Sequence, residues 1–143
     1  ACCDLAIASK SARFVTPGVN IGLFCSTPMV ALSRNVSNKA AMEMLLTGEM
    51  VDSEKAEHIG LVNQVVEDNN LTESTMTMAK LIASKSSMTL KTGKQAFYKQ
   101  KEMSLSDAYD YTSSVMVENM LKIDAQEGID AFIEKRQPKW QDE

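Results

Sequence analysis

Apolar positions follow two periods along this chain. From Cys2 to Ala8 they form a short, nearly continuous run, the pattern of a strand buried on both faces. A second strand-like stretch covers Arg13 to Thr16. Pro17-Gly18 then breaks regularity, and Gly22 adds a further flexible point. Beyond this the period becomes helical. Ser26 or Thr27 suits an N-cap and Pro28 a first helical turn, which predicts a helix from there. Ser37 caps the next helix, with Ala40, Ala41, Met44 and Leu45 at core spacing, and Gly48 stops it. Asp52 or Ser53 opens a short helix that Gly60 ends, and Leu61 to Val66 reads as a brief strand.

The second half is predicted to be a layer of helices. Asn70 with Glu73 has the form of a capping box, leading a helix with Leu71, Met78, Leu81 and Ile82 on its apolar side. Ser86 or Ser87 opens the next, which reaches about Lys101. Ser104 with Asp107, then Asp124 with Glu127, mark two more starts, and Pro138 closes the last helix. No repeat or low-complexity tract stands out.

Composition narrows the functional classes. The 143 residues suffice for one domain with a real core. A net charge of −4 argues against a nucleic-acid footprint. No apolar run approaches about 18 residues, so no membrane span is expected. The chain opens on Ala1 directly in strand-like sequence and reads as a piece of a longer protein. Three cysteines, two of them the neighbours Cys2 and Cys3, fit reduced, buried thiols of an intracellular protein. With one histidine, His58, and no CxxC spacing, no metal site is expected. The ten methionines read as core fillers between packed helices. His58 suits the C-terminal end of a short helix on charge grounds alone.

The segment MEMLLTGEMVDSEKAEHIGLVNQVV, Met42 to Val66, is the most specific in the chain. Preceded by CDLAIAS and ARFVTPGVNIGL, and followed by EGIDAFIEKRQPKW, it resembles the enoyl-CoA hydratase/isomerase (crotonase) superfamily. The resemblance covers the whole chain but only the C-terminal part of the family's domain. It implies an α/β fold, the end of a spiral of ββα turns with the active-site approach loop over residues 1–66. A helical trimerisation region over 67–143 would then form a homotrimer or a dimer of trimers. It also implies acyl-CoA as substrate or ligand, no separate cofactor, and a mitochondrial compartment, with the cytoplasm as the alternative.

In this family two backbone N–H groups hold the thioester carbonyl in an oxyanion hole. By the resemblance, one donor and a catalytic Glu precede Ala1, and the other donor lies further upstream. In the family's hydratases a second Glu directly follows a Pro of the approach segment. Here Pro17 is followed by Gly18, and the Gly-rich stretch expected afterwards reads Cys25-Ser26-Thr27-Pro28. The resemblance therefore assigns Pro17, Gly18, Gly22, Phe24, Cys25 and Ser26 to the substrate pocket, with no catalytic side chain among them. It predicts weakened or altered hydratase/isomerase-like activity, or else a non-catalytic acyl-CoA-binding or regulatory member. On that reading Gly18→Glu would raise hydration. The resemblance also assigns Lys135 to coenzyme A binding, with Arg136 adding charge, and Met116 to the place of an aromatic residue near the adenine. Lys91, Lys94 and Lys101 share a helix face and form a further basic patch for the phosphates or, more simply, a solvated surface. Tyr98, Tyr109, Tyr111 and Trp140 read as core or interface packing.

Overall fold

The computed structural model describes residues 1–142. Four short strands and seven helices alternate: β1 (Ile7–Ser9), β2 (Arg13–Phe14), α1 (Ser26–Ser33), α2 (Asn38–Thr47), β3 (Val51–Asp52), α3 (Ser53–His58) and β4 (Gln64–Val66) come first. Then follow α4 (Leu71–Ala83), α5 (Ser87–Gln100), α6 (Leu105–Met120) and α7 (Ile123–Ile133). The α/β class is as the sequence predicts. The chain divides into two compact units, 1–78 and 79–143, and the division falls within α4.

In the first unit β1 pairs in parallel with β4, Ala8 opposite Val65, and β2 pairs antiparallel with β3, Phe14 opposite Val51. The core forms where α2 turns Ala40, Ala41, Met44 and Leu45 inward against Ala8, Leu32, Val51, Ala56 and Val62. Leu45 is 1% exposed. Full burial of a leucine contributes about 1.5–3 kcal/mol. Local chemistry sets the ends of these elements. Ser37 Oγ accepts from Ala40 N–H, Asp52 caps α3 through Lys55 N–H, and Gly48 closes α2 at a φ of 60°. Buried Ser53 donates to the Lys10 carbonyl at 3.0 Å and ties α3 to the turn after β1.

Several expectations are corrected. The first strand is shorter than Cys2–Ala8, because β4 offers only three residues as partners. Cys2 and Cys3 are consequently exposed rather than buried; all three cysteines are free thiols, and Cys25 is half-buried. The strand expected over Leu61–Val66 contracts to Gln64–Val66 for the same reason. The first helix starts at Ser26 with Cys25 at the N-cap and no side-chain cap; Ser26 Oγ bonds the Phe24 carbonyl instead. Met44 alone of the ten methionines is buried, and Met42, Met50, Met76, Met116 and Met120 are exposed.

In the second unit α5, α6 and α7 pack in sequence. Ser86 caps α5 through Thr89 N–H, and Ser104 caps α6 through Asp107 N–H, as their spacing predicts. Helix α4 instead continues out of a 3-10 turn at Asp68–Asn70, and its expected apolar side is open, with Leu81 and Ile82 exposed. The pair Asp124 and Glu127 is not a capping box. Helix α7 begins at Ile123, one residue before Asp124, and both carboxylates turn to the chain's last residues. The helix ends at Ile133, ahead of Pro138. No helix among the described residues is long and apolar enough to cross a membrane.

Candidate functional site

The approach segment is a 3-10 helix, Pro17–Ile21, closed by a left-handed turn. Proline fixes the backbone angle at the first helical position. At the other end Gly22 has a φ of 76°, a region open to glycine at little cost. Gly22 N–H bonds the Val19 carbonyl at 3.3 Å and Leu23 N–H bonds the Gly18 carbonyl at 2.9 Å. This pair of bonds is a Schellman closure, which reverses the chain and returns residues 23–25 toward Gly18.

Three contacts pin this segment to the C-terminal end of α2. Buried Thr16 donates its hydroxyl to the Met44 carbonyl at 2.8 Å. Asn20 Nδ2 donates to the Gly48 carbonyl at 3.2 Å. Gly48 has a φ of 60°, and a methyl group added there would stand 2.9 Å from both Asn20 Oδ1 and Val19 Cγ2, so a side chain would be strained and would push these two aside. Thr16 and Asn20, polar residues beside the expected pocket, are thus held in structural bonds.

Gly18 lies at the centre of the closed turn. Its N–H donates to Cys25 Sγ at 3.3 Å. A methyl group on its α-carbon would stand 2.7 Å from the Leu23 carbonyl oxygen and 2.8 Å from Cys25 Sγ. No side chain fits there without displacing backbone. Around this closed point the apolar side chains of Ile21, Leu23 and Phe24 are exposed, Ile21 by 76%. Residues 17–28 contain no carboxylate and no imidazole. The structure therefore brings Pro17, Gly18, Gly22, Phe24, Cys25 and Ser26 together in one turn. What that turn presents is apolar surface and backbone.

The residues expected to meet coenzyme A lie in the second unit. Met116 is exposed on α6 and borders a cleft of about 160 Å³ with Thr92, Gly93 and Thr112. A second cleft, about 530 Å³, opens between α5 and α7 and is lined by Thr89, Leu90, Ile129, Phe132 and Trp140. Asn119 borders both clefts, and its Oδ1 is buried with no hydrogen-bond partner among the described residues. Lys135 is exposed with no ion pair among the described residues, and its φ is 55°. It closes α7 with the same two-bond turn that ends the approach helix. Lys135 N–H bonds the Phe132 carbonyl and Arg136 N–H bonds the Ala131 carbonyl.

Arg136 does not add free charge, contrary to expectation. It forks onto Glu127 at 2.6 and 2.9 Å and also reaches Glu134 at 2.5 Å. The guanidinium and the Lys139 N–H hold the Glu127 carboxyl down at about 2. Of the expected basic patch Lys91, Lys94 and Lys101, Lys101 just past α5 is engaged, 5.2 Å from the centre of the Phe97 ring; Lys99, outside that patch, lies 4.3 Å from the centre of the Tyr111 ring. Trp140 packs within its own unit, with Nε1 bonded to the Ser84 carbonyl at 2.8 Å and the ring beside Gly128. Buried Asp124 accepts from Gln141 and Asp142 N–H groups, and Ser86 and these amides hold its carboxyl below the ordinary range. His58 is exposed at the end of α3.

Sequence reasoning missed Cys25 as the partner of Gly18, and Asp124 as an anchor of the final residues. The first had a visible signal. A proline at a helical start and a glycine five residues later frame a closed turn. The second had none, since its partners are backbone amides of distant residues.

Comparison with known proteins agrees with this architecture. The family described as enoyl-CoA hydratase/isomerase matches residues 1–143. The chain is 51% identical to the mitochondrial enoyl-CoA hydratase domain-containing protein 3 of Xenopus laevis, over 98% of this chain and 48% of that one. It superposes on the crystal structure of an enoyl-CoA hydratase from Mycobacterium smegmatis with a TM-score of 0.93 and 48% identity, covering 96% of this chain and 54% of that one. On the structure of human enoyl-CoA hydratase domain-containing protein 3 the TM-score is 0.92 with 51% identity, covering 96% and 55%. The chain spans about half the length of the curated relatives it matches. On sequence along its full extent and on fold, this chain belongs to the enoyl-CoA hydratase/isomerase family.

Proposed function

We propose that this protein binds fatty acyl-CoA thioesters and acts on them weakly or differently from a hydratase with two carboxylates. Membership of the family supports the ligand class. The observation that carries the functional departure is the turn at Gly18, which has neither an acid–base side chain nor room for one. Hydration or isomerisation of an enoyl thioester passes through an enolate. Fixed N–H dipoles aimed at the developing oxyanion supply about 2.7–4 kcal/mol per donor. A positioned acid or base adds about 10²–10⁴-fold. In this reading the oxyanion hole and any carboxylate come from sequence preceding Ala1, and Pro17 to Ser26 wall the acyl chain with apolar surface.

Lys135 is proposed to meet coenzyme A phosphates, and Met116 to lie near the adenine, across subunits of a homotrimer. The backbone supports a role for Lys135. A lysine occupies a positive-φ turn that glycine would fill with less strain, the kind of outlier found at functional positions. A mitochondrial location is proposed from the names of the relatives. The absence of carboxylate and imidazole from residues 17–28 also favours a second reading, a non-catalytic acyl-CoA binder.

The test uses the full-length protein with a short and a long enoyl-CoA, following loss of the enoyl-thioester absorbance, alongside calorimetric titration with a saturated acyl-CoA. Binding with slow turnover is expected. Binding without turnover selects the second reading, and no binding by folded protein refutes both.

A further inference from the structure

The turn at position 18 bears on which reaction the protein performs, an inference that rests on the acyl-CoA reading above. Gly18 is not an isolated replacement on an otherwise open wall. Its N–H is taken by Cys25 Sγ at 3.3 Å, and its carbonyl accepts from Leu23 N–H at 2.9 Å. The direction a side chain would take is filled by the Leu23 carbonyl oxygen and by Cys25 Sγ. Gly22, at a φ of 76° and with nothing within 4 Å of its added methyl, supplies the reversal that brings both atoms back. Gly22, Leu23 and Cys25 are thus arranged around the lack of a side chain at Gly18.

The geometry points to Cys25 as a positioning residue that closes position 18: its thiol, with the Leu23 carbonyl, packs the 22–25 turn against Gly18, so that an acid–base side chain introduced there does not reach substrate. The expectation that Gly18→Glu by itself raises hydration is therefore reversed. The carboxylate has no volume to enter while the thiol holds the turn. The Leu23 carbonyl is backbone and moves only with the whole 22–25 segment. Replacing Cys25 by alanine removes one obstacle and also removes the Gly18 N–H bond to sulfur, one of three bonds that hold the segment, beside those of Leu23 N–H and Gly22 N–H.

The experiment compares full-length wild type, Gly18→Glu, and Gly18→Glu combined with Cys25→Ala. The readouts are the urea midpoint, saturated acyl-CoA affinity, and the pH profile of enoyl-CoA hydration. Gly18→Glu is expected to lower the midpoint and to gain no more than about threefold in kcat over wild type, well short of the 10²–10⁴-fold of a working acid–base group. The double variant is expected to recover part of the midpoint. Its kcat should rise by at least about tenfold at similar KM, with a new acidic limb in its pH profile. A Gly18→Glu protein with wild-type midpoint and a tenfold gain overturns the inference. So does a folded double variant that binds acyl-CoA and gains neither midpoint nor kcat over the single one. If wild type binds no acyl-CoA, the functional reading has failed, and the order of the midpoints still decides whether Cys25 closes position 18.

Discussion

Replacing Gly48 by alanine tests whether the approach segment is held by close contact with the end of α2. Two costs add at this position. The φ of 60° places a side chain in the left-handed region, which costs about 1–2 kcal/mol. The new methyl would stand 2.9 Å from Asn20 Oδ1 and from Val19 Cγ2, closer than packed atoms allow, and overpacking of this kind costs about 1–3 kcal/mol. Gly48→Ala should therefore destabilise by about 2–5 kcal/mol. Gly60 provides the internal control. Its φ is 80°, but the nearest atom to an added methyl is the Asn35 carbonyl oxygen at 4.0 Å, so Gly60→Ala carries only the backbone cost of about 1–2 kcal/mol. Asn20→Ala alone loses the bond to the Gly48 carbonyl, about 0.5–1.5 kcal/mol. Because Asn20 is also one of the obstructing side chains, Gly48→Ala with Asn20→Ala should cost about 1 kcal/mol less than the sum of the two single changes. The assay is urea unfolding with the midpoint and slope fitted together, a constant slope showing that stability alone has changed. Equal costs for Gly48→Ala and Gly60→Ala, or strict additivity with Asn20→Ala, would refute the pinned geometry.

Gly22→Ala should cost about 1–2 kcal/mol by backbone strain alone, with nothing to obstruct the methyl; a neutral result in urea unfolding would mean the left-handed turn is not adopted in solution. Lys135→Gly separates charge from backbone. It should gain about 1 kcal/mol of stability while weakening coenzyme A binding in a salt-dependent way, and unchanged affinity removes Lys135 from the site. Acidification should loosen the end of the chain. Glu127, held at about 2 against an ordinary 4.5, and Asp124, also lowered, contribute stability that is complete above the ordinary value and lost as pH falls through the folded one. Trp140, the single tryptophan, reports this: its fluorescence should change as pH drops from about 4.5 toward 2, and Asp124→Asn should move the change to higher pH. A signal that stays flat until the whole protein unfolds would show that these carboxylates do not anchor Trp140.

Much of this protein is written in local sequence. Ser37, Asp52, Ser86 and Ser104 open their helices and Gly48 closes one, because caps and left-handed turns depend on residues a few positions apart. The order of motifs from Cys2 to Trp140 carries the family, and the absence of acid–base side chains from residues 17–28 is plain in the letters. Strand lengths were not legible, because β1 extends only as far as β4 pairs with it, nearly sixty residues away. The roles of Asp124 and Glu127 were misread for a similar reason: their spacing fits a capping box, but amides of the last residues compete for both carboxylates. Position 18 shows the division most clearly. The sequence determined that it has no side chain. Only the tertiary structure decided that none fits, since that depends on a left-handed turn at Gly22 carrying the Leu23 carbonyl and the Cys25 thiol into the space where one would stand.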